Sequence, residues 1–499
     1  MNTDADRSAI ESLAPQSVWR FFAGIAAVPR PSKREQKIRA HVKQLAESHR
    51  FKVREDSIGN LVIEVPATKG CESAPAIVLQ GHLDMVCEKD SGTTHNFDSD
   101  PIRLLLDKSA DGKQIIRADG TTLGADNGIG VSLALAAATE PAAVHGPLEI
   151  LCTIDEEDGM SGAKAIAPDF FKGRRMLNLD SEEDDAIYIG CAGGTDTTLI
   201  WSLPMAAPPP GAESCQLVIT GLTGGHSGCD IHLNRVSAIA VLWQTLQAID
   251  EPQIQLATIS GGSKRNAIPR EAAATVTGPR GLSEKLTNSA KSMQAHAVAL
   301  GEAGCKITVQ SVAAPAVASV DDTRRVLTAL AALPHGVLAV VPEIPGLVQT
   351  SNGTTTIKST SAEGTLRVEV GCLTRSSSNT DMCTVLSKIA AIARLAGAQA
   401  ERANEYPGWA PNLQSPTLAV CRAAYERVFQ KAPRIASIHA GLECGIIGER
   451  VGSMDMVSFG PNIQGAHSPG ERVEVASVER MYRYLLAVLA DLAKRGPGE

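Results

Sequence analysis

Three short apolar runs in the first 180 residues each stop abruptly at ionisable side chains, and that repeated ending constrains the fold more than any other feature. Ile77-Val78-Leu79-Gln80 passes through Gly81 into His82-Leu83-Asp84, Leu148 to Ile154 passes into Asp155-Glu156-Glu157-Asp158, and Met176 to Leu179 passes into Asp180-Ser181-Glu182-Glu183. Runs of this length read as strands. Helical stretches alternate with them. Val18, Phe21, Phe22, Ile25 and Val28 recur at helix spacing before Pro29, Lys33 to Ser48 keeps Ile38, Val42 and Leu45 on one face, and Val131 to Thr139 is Ala-rich. The alternation specifies an α/β fold with a central mixed sheet between helices. In such an open sheet the carboxyl ends of neighbouring strands share one crevice, so residues distant in sequence meet there.

A chain of 499 residues exceeds what one hydrophobic core holds, so at least two domains are expected. The texture changes after Gly190-Cys191-Ala192-Gly193-Gly194. A proline-rich crossover, Pro204 to Gly211, precedes strands at Gln216 to Thr220, Lys306 to Val309 and Thr365 to Val370, with helices at about 235–249, 321–333 and 380–395. Tyr406-Pro407-Gly408-Trp409 marks the return. The expected organisation is a split domain, residues 1–194 and 406–499, around an inserted α+β domain, residues 195–405, built as two related subdomains; the resemblance described below makes the first the catalytic domain and the second its lid.

A net charge of -8 and an aromatic content of 3% exclude a nucleic-acid or anionic-membrane surface as partner. No apolar stretch is long enough to span a bilayer, and the polar N-terminus lacks a signal-type apolar core. Eleven scattered cysteines without a CxxC fit reduced thiols in a cytoplasmic protein.

The strand-end residues carry a specific chemistry. In extended backbone His82 and Asp84 project to one face, so the imidazole can offer one ring nitrogen to a metal while Asp84 steadies the other. The loop Gly120 to Gly130 has the wrong spacing for a dinucleotide cradle, and Asp126 in it is better used as a carboxylate aimed at a cation. Glu156 and Glu157 alternate in direction if extended, so one can face metal while the other faces substrate. With His467 these are hard oxygen ligands plus two imidazoles, a zinc-like mixture.

The order HLD, GADNG, DEEDG, LD and GAHSPGE resembles the cocatalytic di-zinc aminopeptidase and carboxypeptidase superfamily. GCAGGTD, GLTGGHSG, GGSKRNAIPREA, YPGW, HAGLECG and DMVSFGP narrow the resemblance to the aminoacyl-histidine (Xaa-His) dipeptidase family, over residues 20–492. The resemblance implies two Zn2+ per subunit, with Co2+ or Mn2+ as alternatives. Asp126 bridges them, His82 and Asp180 complete one site, and Glu157 and His467 complete the other. It further implies Glu156 as general base, a cis peptide after Asp126, and His226 as the oxyanion-stabilising histidine. Asn266 and Arg375 become substrate binders, Arg375 clamping the C-terminal carboxylate, and Glu443 lies toward the substrate's amino end. The implied activity is hydrolysis of unblocked dipeptides, Xaa-His included, by a homodimer whose lid closes on small substrates. An N-acyl amino acid deacylase or aminopeptidase of the same superfamily, and a non-catalytic metal-dependent binding protein, are the alternatives.

Overall fold

The computed structural model describes residues 3–342, 344 and 346–494, and the chain divides into two compact units. One contains the residues up to Cys191 with Trp409–Ser437 and those from Leu442 onward; the other contains Ala192–Gly408 and Ile438–Gly441.

The first unit is built on an eight-stranded sheet in the order Lys52–Glu55, Leu61–Val65, Leu148–Thr153, Ile77–His82, Arg175–Asn178, Asp455–Ser458, Ala186–Cys191, Arg434–Ile438. The four central strands run parallel and the flanking pairings are antiparallel, giving the mixed sheet expected from the sequence. Their side chains are buried on both faces, the condition for a parallel sheet covered by helices. The strand Ile77–His82 lies between Leu148–Thr153 and Arg175–Asn178. The residues following all three therefore emerge at one edge, as the repeated endings require.

Ala125–Thr139 packs on this sheet, and Val475–Leu492, from a distant part of the chain, packs against that helix. Ala125–Thr139 is apolar on nearly every side, and Val475–Leu492 buries Val478, Met481, Leu485, Val488 and Leu492 at helix spacing. Tyr484 anchors the latter, stacking edge-on against Tyr425 and Phe459 and donating its hydroxyl to the Cys421 carbonyl. A small antiparallel sheet of Leu104–Lys108, Gln114–Ala118, Arg472–Glu474 and Ile463–Gln464 was not foreseen in the sequence. It holds the hairpin that carries His467.

The second unit is a ten-stranded antiparallel sheet with helices Ala238–Ala248, Leu282–Ala299, Val320–Ala332 and Asn379–Leu395. Its halves join edge to edge through Ser260↔Lys358 and Gly261↔Ile357. The expected proline-rich crossover begins later than Pro204. That residue lies inside the strand Gly193–Ala206, opposite Thr365. Among the described residues no helix is long and apolar enough to cross a membrane, and all eleven cysteines are free.

Candidate metal centre and active site

His82 is the last residue of its strand and is buried to 1% exposure. Its Nε2 lies 3.0 Å from Asp126 Oδ1 and 3.4 Å from Asp180 Oδ1. The other Asp126 oxygen, Oδ2, lies 3.2 Å from His467 Nε2, which is 3.0 Å from Glu157 Oε2. The two oxygens of one carboxylate thus face two different imidazole–carboxylate pairs. His82, Asp126 and Glu157 alone bring ligand atoms within 4.8 Å of one another, a grouping that could hold a metal ion.

Asp84 organises this edge. Its Oδ1 is 3.3 Å from His82 Nδ1 and accepts the Glu156 N–H, while Oδ2 accepts the Glu157 N–H and the Ser32 hydroxyl. Burial opposes its charge, but His82 and these donors outweigh burial and hold its pKa at about 2. Asp84 therefore fixes an imidazole and, through adjacent amides, the placing of Glu156 and Glu157.

The Asp126–Asn127 peptide is cis. Asn127 donates to the Leu179 carbonyl at 2.7 Å, tying the loop to the strand end before Asp180. The Asn127 amide oxygen passes so close to Gly81 that a Cβ there would come within 2.2 Å of it. This is why the apolar run ends in glycine before His82.

Several polar residues that the sequence did not single out hold the ligands. Glu471 accepts backbone N–H groups from Leu123, Gly124, Ala125 and Asp126. Buried Arg30 donates to the carbonyls of Leu83, Asp84 and Gly124. Glu182, in the acid run that follows Asp180, is half-buried, unlike the exposed Glu183 beside it. Its pKa rises to about 8 through burial, reinforced by Asp126.

The electrostatics show what the cluster lacks. Burial, reinforced by neighbouring carboxylates, lifts Asp180 to about 7 and Glu156 well above the carboxylate range. Hydrogen bonds to Asp126 and Glu157 raise His467 to about 11. His82 is also raised, since Asp180 and Asp126 outweigh its burial. Negative charge exceeds what two imidazoles balance, and Glu157 Oε1 and Asp180 Oδ1 are buried without a hydrogen-bond partner. Such oxygens are costly unless a cation meets them, so the donor set fits metal ions.

In the second unit, His226 Nδ1 accepts N–H groups from Gly228 and Cys229. Burial and the charge of Arg375 lower its pKa, so the ring is neutral and Nε2 carries the proton. Arg375 is buried, donates to the Tyr406 hydroxyl at 3.1 Å, and leaves its Nε without a hydrogen-bond partner. Asn266 is exposed, and its backbone carbonyl accepts the Ser227 N–H. Ser351, opposite Arg375 in the sheet, bonds the buried His439 ring at 2.7 Å. Glu443 belongs to the first unit, fully buried at the start of the helix Glu443–Val451.

A mixed α/β sheet whose strand ends present carboxylates and imidazoles in this bridged arrangement has the build of a metal-dependent hydrolase. Sequence comparison gives the particular group. The pattern of Peptidase family M20/M25/M40 matches residues 78–491, and the chain belongs to that family. It is 38% identical over 490 residues to the cytosol non-specific dipeptidase of Escherichia coli (strain K12), covering 97% of this chain and 99% of that protein. The crystal structure of aminoacylhistidine dipeptidase from Vibrio alginolyticus superposes with a TM-score of 0.86 at 39% identity, covering 96% of this chain and 97% of that one. A tripeptidase from Staphylococcus aureus shares the fold at 15% identity and a TM-score of 0.60, covering 97% and 100%.

Proposed function

We propose that this chain is a cytoplasmic dipeptidase that hydrolyses unblocked dipeptides, Xaa-His among them, with two zinc ions per subunit. The observation that carries the reading is the division of Asp126: one oxygen faces His82 and the other faces His467. Asp126 would bridge the ions, His82 and Asp180 would hold one, and Glu157 and His467 the other. When bound, such a pair supplies Lewis acidity at the scissile carbonyl and acidifies the attacking water. Co2+ or Mn2+ would do the same chemistry.

Glu156 takes the water's proton and returns it to the leaving amine. Asp84 keeps that carboxylate in register by accepting its backbone N–H, and fixes the orientation of His82. His226, neutral with Nε2–H outward from its two backbone donors, is suited to donate to the oxyanion. Arg375 offers its planar fork to the C-terminal carboxylate, with Asn266 as a further substrate contact. Reading charge at both ends of the substrate makes longer peptides poor substrates. The resemblance to dipeptidases over almost the whole chain supports this assignment, and the chain would act as a homodimer.

Chelation followed by zinc titration tests the centre. Activity on Ala-His is expected to disappear with the metal and to return, saturating near two equivalents per chain. Full turnover by the metal-free protein would reject the reading, and hydrolysis of N-acetylated but not free dipeptides would make it a deacylase. Arg375→Ala is expected to raise KM for dipeptides about 10- to 100-fold while metal content stays near wild type. An unchanged KM would remove Arg375 from substrate binding.

A further inference from the structure

Glu156 and Glu157 lie in a turn, residues 156–159, rather than in extended strand, so strand alternation does not set their directions. The acceptors of the turn's amides do. Three consecutive N–H groups lead into it, and two buried carboxylates take all three. Glu35 Oε1 accepts the Asp155 N–H at 3.0 Å, and Asp84 accepts those of Glu156 and Glu157 at 3.0 and 3.1 Å. Asp155 has φ +53, a left-handed conformation that a non-glycine residue keeps only where its surroundings hold it. Ser161 donates to its side chain at 2.6 Å, and Glu35 takes its amide.

Glu35 comes from a segment that the sequence marks only as a helix break. Between Arg30 and Glu35 the chain crosses the ends of the same strands. Arg30 donates to the Leu83 and Asp84 carbonyls, the Ser32 hydroxyl donates to Asp84 Oδ2, and Lys33 pairs with Asp158. Glu35 is 2% exposed and stands directly before the helix Gln36–Ser48, which fixes its backbone. Its Oε1 also accepts the Lys33 N–H at 2.7 Å, closing the segment's own turn. Burial and the nearby Asp84 both oppose a charge on it. Two amide N–H groups meet on one oxygen, so what the geometry uses is the reach of an acceptor rather than a charge.

We propose that Glu35 is a positioning residue for the proton transfer: by taking the Asp155 N–H next to the two amides held by Asp84, it sets where the Glu156 carboxylate stands. Glu35 acts through Glu156 and not on substrate or metal. The assignment rests on the dipeptidase reading above, with Glu156 as its base.

The test measures kcat and KM on Ala-His, with bound zinc, across substitutions at position 35. A displacement of about 1 Å at a reacting group costs about 100-fold, so Glu35→Ala is expected to lower kcat about 10- to 100-fold. KM is expected to stay within about twofold and zinc at the wild-type level, because no ligand side chain is released. Glu35→Gln keeps an acceptor oxygen at the same reach and is expected to stay within about threefold of wild type. Glu35→Asp keeps the charge but falls one methylene short, and is expected to lose about tenfold; it reads the proposal if the Ala variant does not accumulate. Added to Glu156→Ala, Glu35→Ala is expected to cause no further loss, since its effect passes through the side chain already removed. An Asp variant more active than the Gln variant, a raised KM, lost zinc, or a further loss in the double variant each overturn the proposal. Wild-type kcat in Glu35→Ala overturns it while leaving the dipeptidase reading intact. Near-normal turnover in Glu156→Ala removes the base, and this assignment with it.

Discussion

Glu156→Ala is expected to keep metal content near wild type while kcat on Ala-His falls by about a thousandfold or more. The expectation follows from what each neighbouring acid touches. Glu157 Oε2 is 3.0 Å from His467, and Asp126 and Asp180 lie against His82, so these carboxylates are spent on the ligand set. The Glu156 side chain makes no such pairing, yet its N–H is pinned to Asp84 Oδ1 at 3.0 Å, which keeps its position defined. Truncation removes the proton acceptor without removing a ligand. Glu156→Gln, which keeps shape but cannot accept and return a proton, is expected to be equally inactive. Glu157→Ala should instead lose metal. Bound zinc measured beside kcat separates the two: near-normal turnover in Glu156→Ala rejects the base, and loss of zinc in Glu156→Gln makes it a ligand.

What could be read from the sequence was what is local. His82, Asp126, Glu156, Glu157 and Asp180 follow strands or open a helix, and an apolar run interrupted by an acid or histidine is visible over ten residues. The strands that end at these residues, and the helices beside them, follow for the same reason, whereas the small sheet of Leu104–Lys108, Gln114–Ala118, Arg472–Glu474 and Ile463–Gln464 does not. The second unit was harder. The strand Val348–Ala362 is two-thirds Thr, Ser, Asn and Gly, a composition that suggests a loop. It is central in its sheet because its hydroxyls find partners across the ladder, as Thr350 does with Ser376. The helix Leu282–Ala299 buries only Leu282, Leu286, Ala290 and Ala297, too thin a stripe to stand out.

The supports of the site were illegible for a different reason. Gln80 meets Glu443 across 363 residues, and Glu471 meets Leu123 across 348. No window of sequence contains both partners of such a bond. A buried Gln or Glu then looks the same as a surface one until the fold supplies its partner.

Glu471 is where this hidden layer is expected to matter most. It lies in the hairpin that carries His467, and its two oxygens accept four consecutive N–H groups, from Leu123 to Asp126, at 2.7–3.3 Å. The residue is 2% exposed, so no solvent stands ready to replace it. Its charge also acts on buried Arg30, whose guanidinium holds the carbonyls of Leu83, Asp84 and Gly124. Gly124 itself has φ +69, and a Cβ there would run into Arg30, so this turn admits little adjustment. Glu471→Ala leaves those amides without their acceptor and at the same time removes a negative charge that acts on Arg30. Each buried group left unsatisfied costs about 1–3 kcal/mol, and partial relaxation leaves a net loss of about 3–5 kcal/mol in the stability of the metal-free protein. Because the released turn carries Asp126 and the hairpin carries His467, zinc affinity is expected to fall with it. Urea unfolding reads the first effect and chelator competition the second, while hydrogen exchange locates both through lost protection of the 123–126 amides. A variant with those amides still protected and zinc affinity intact would show that the turn holds its shape without Glu471.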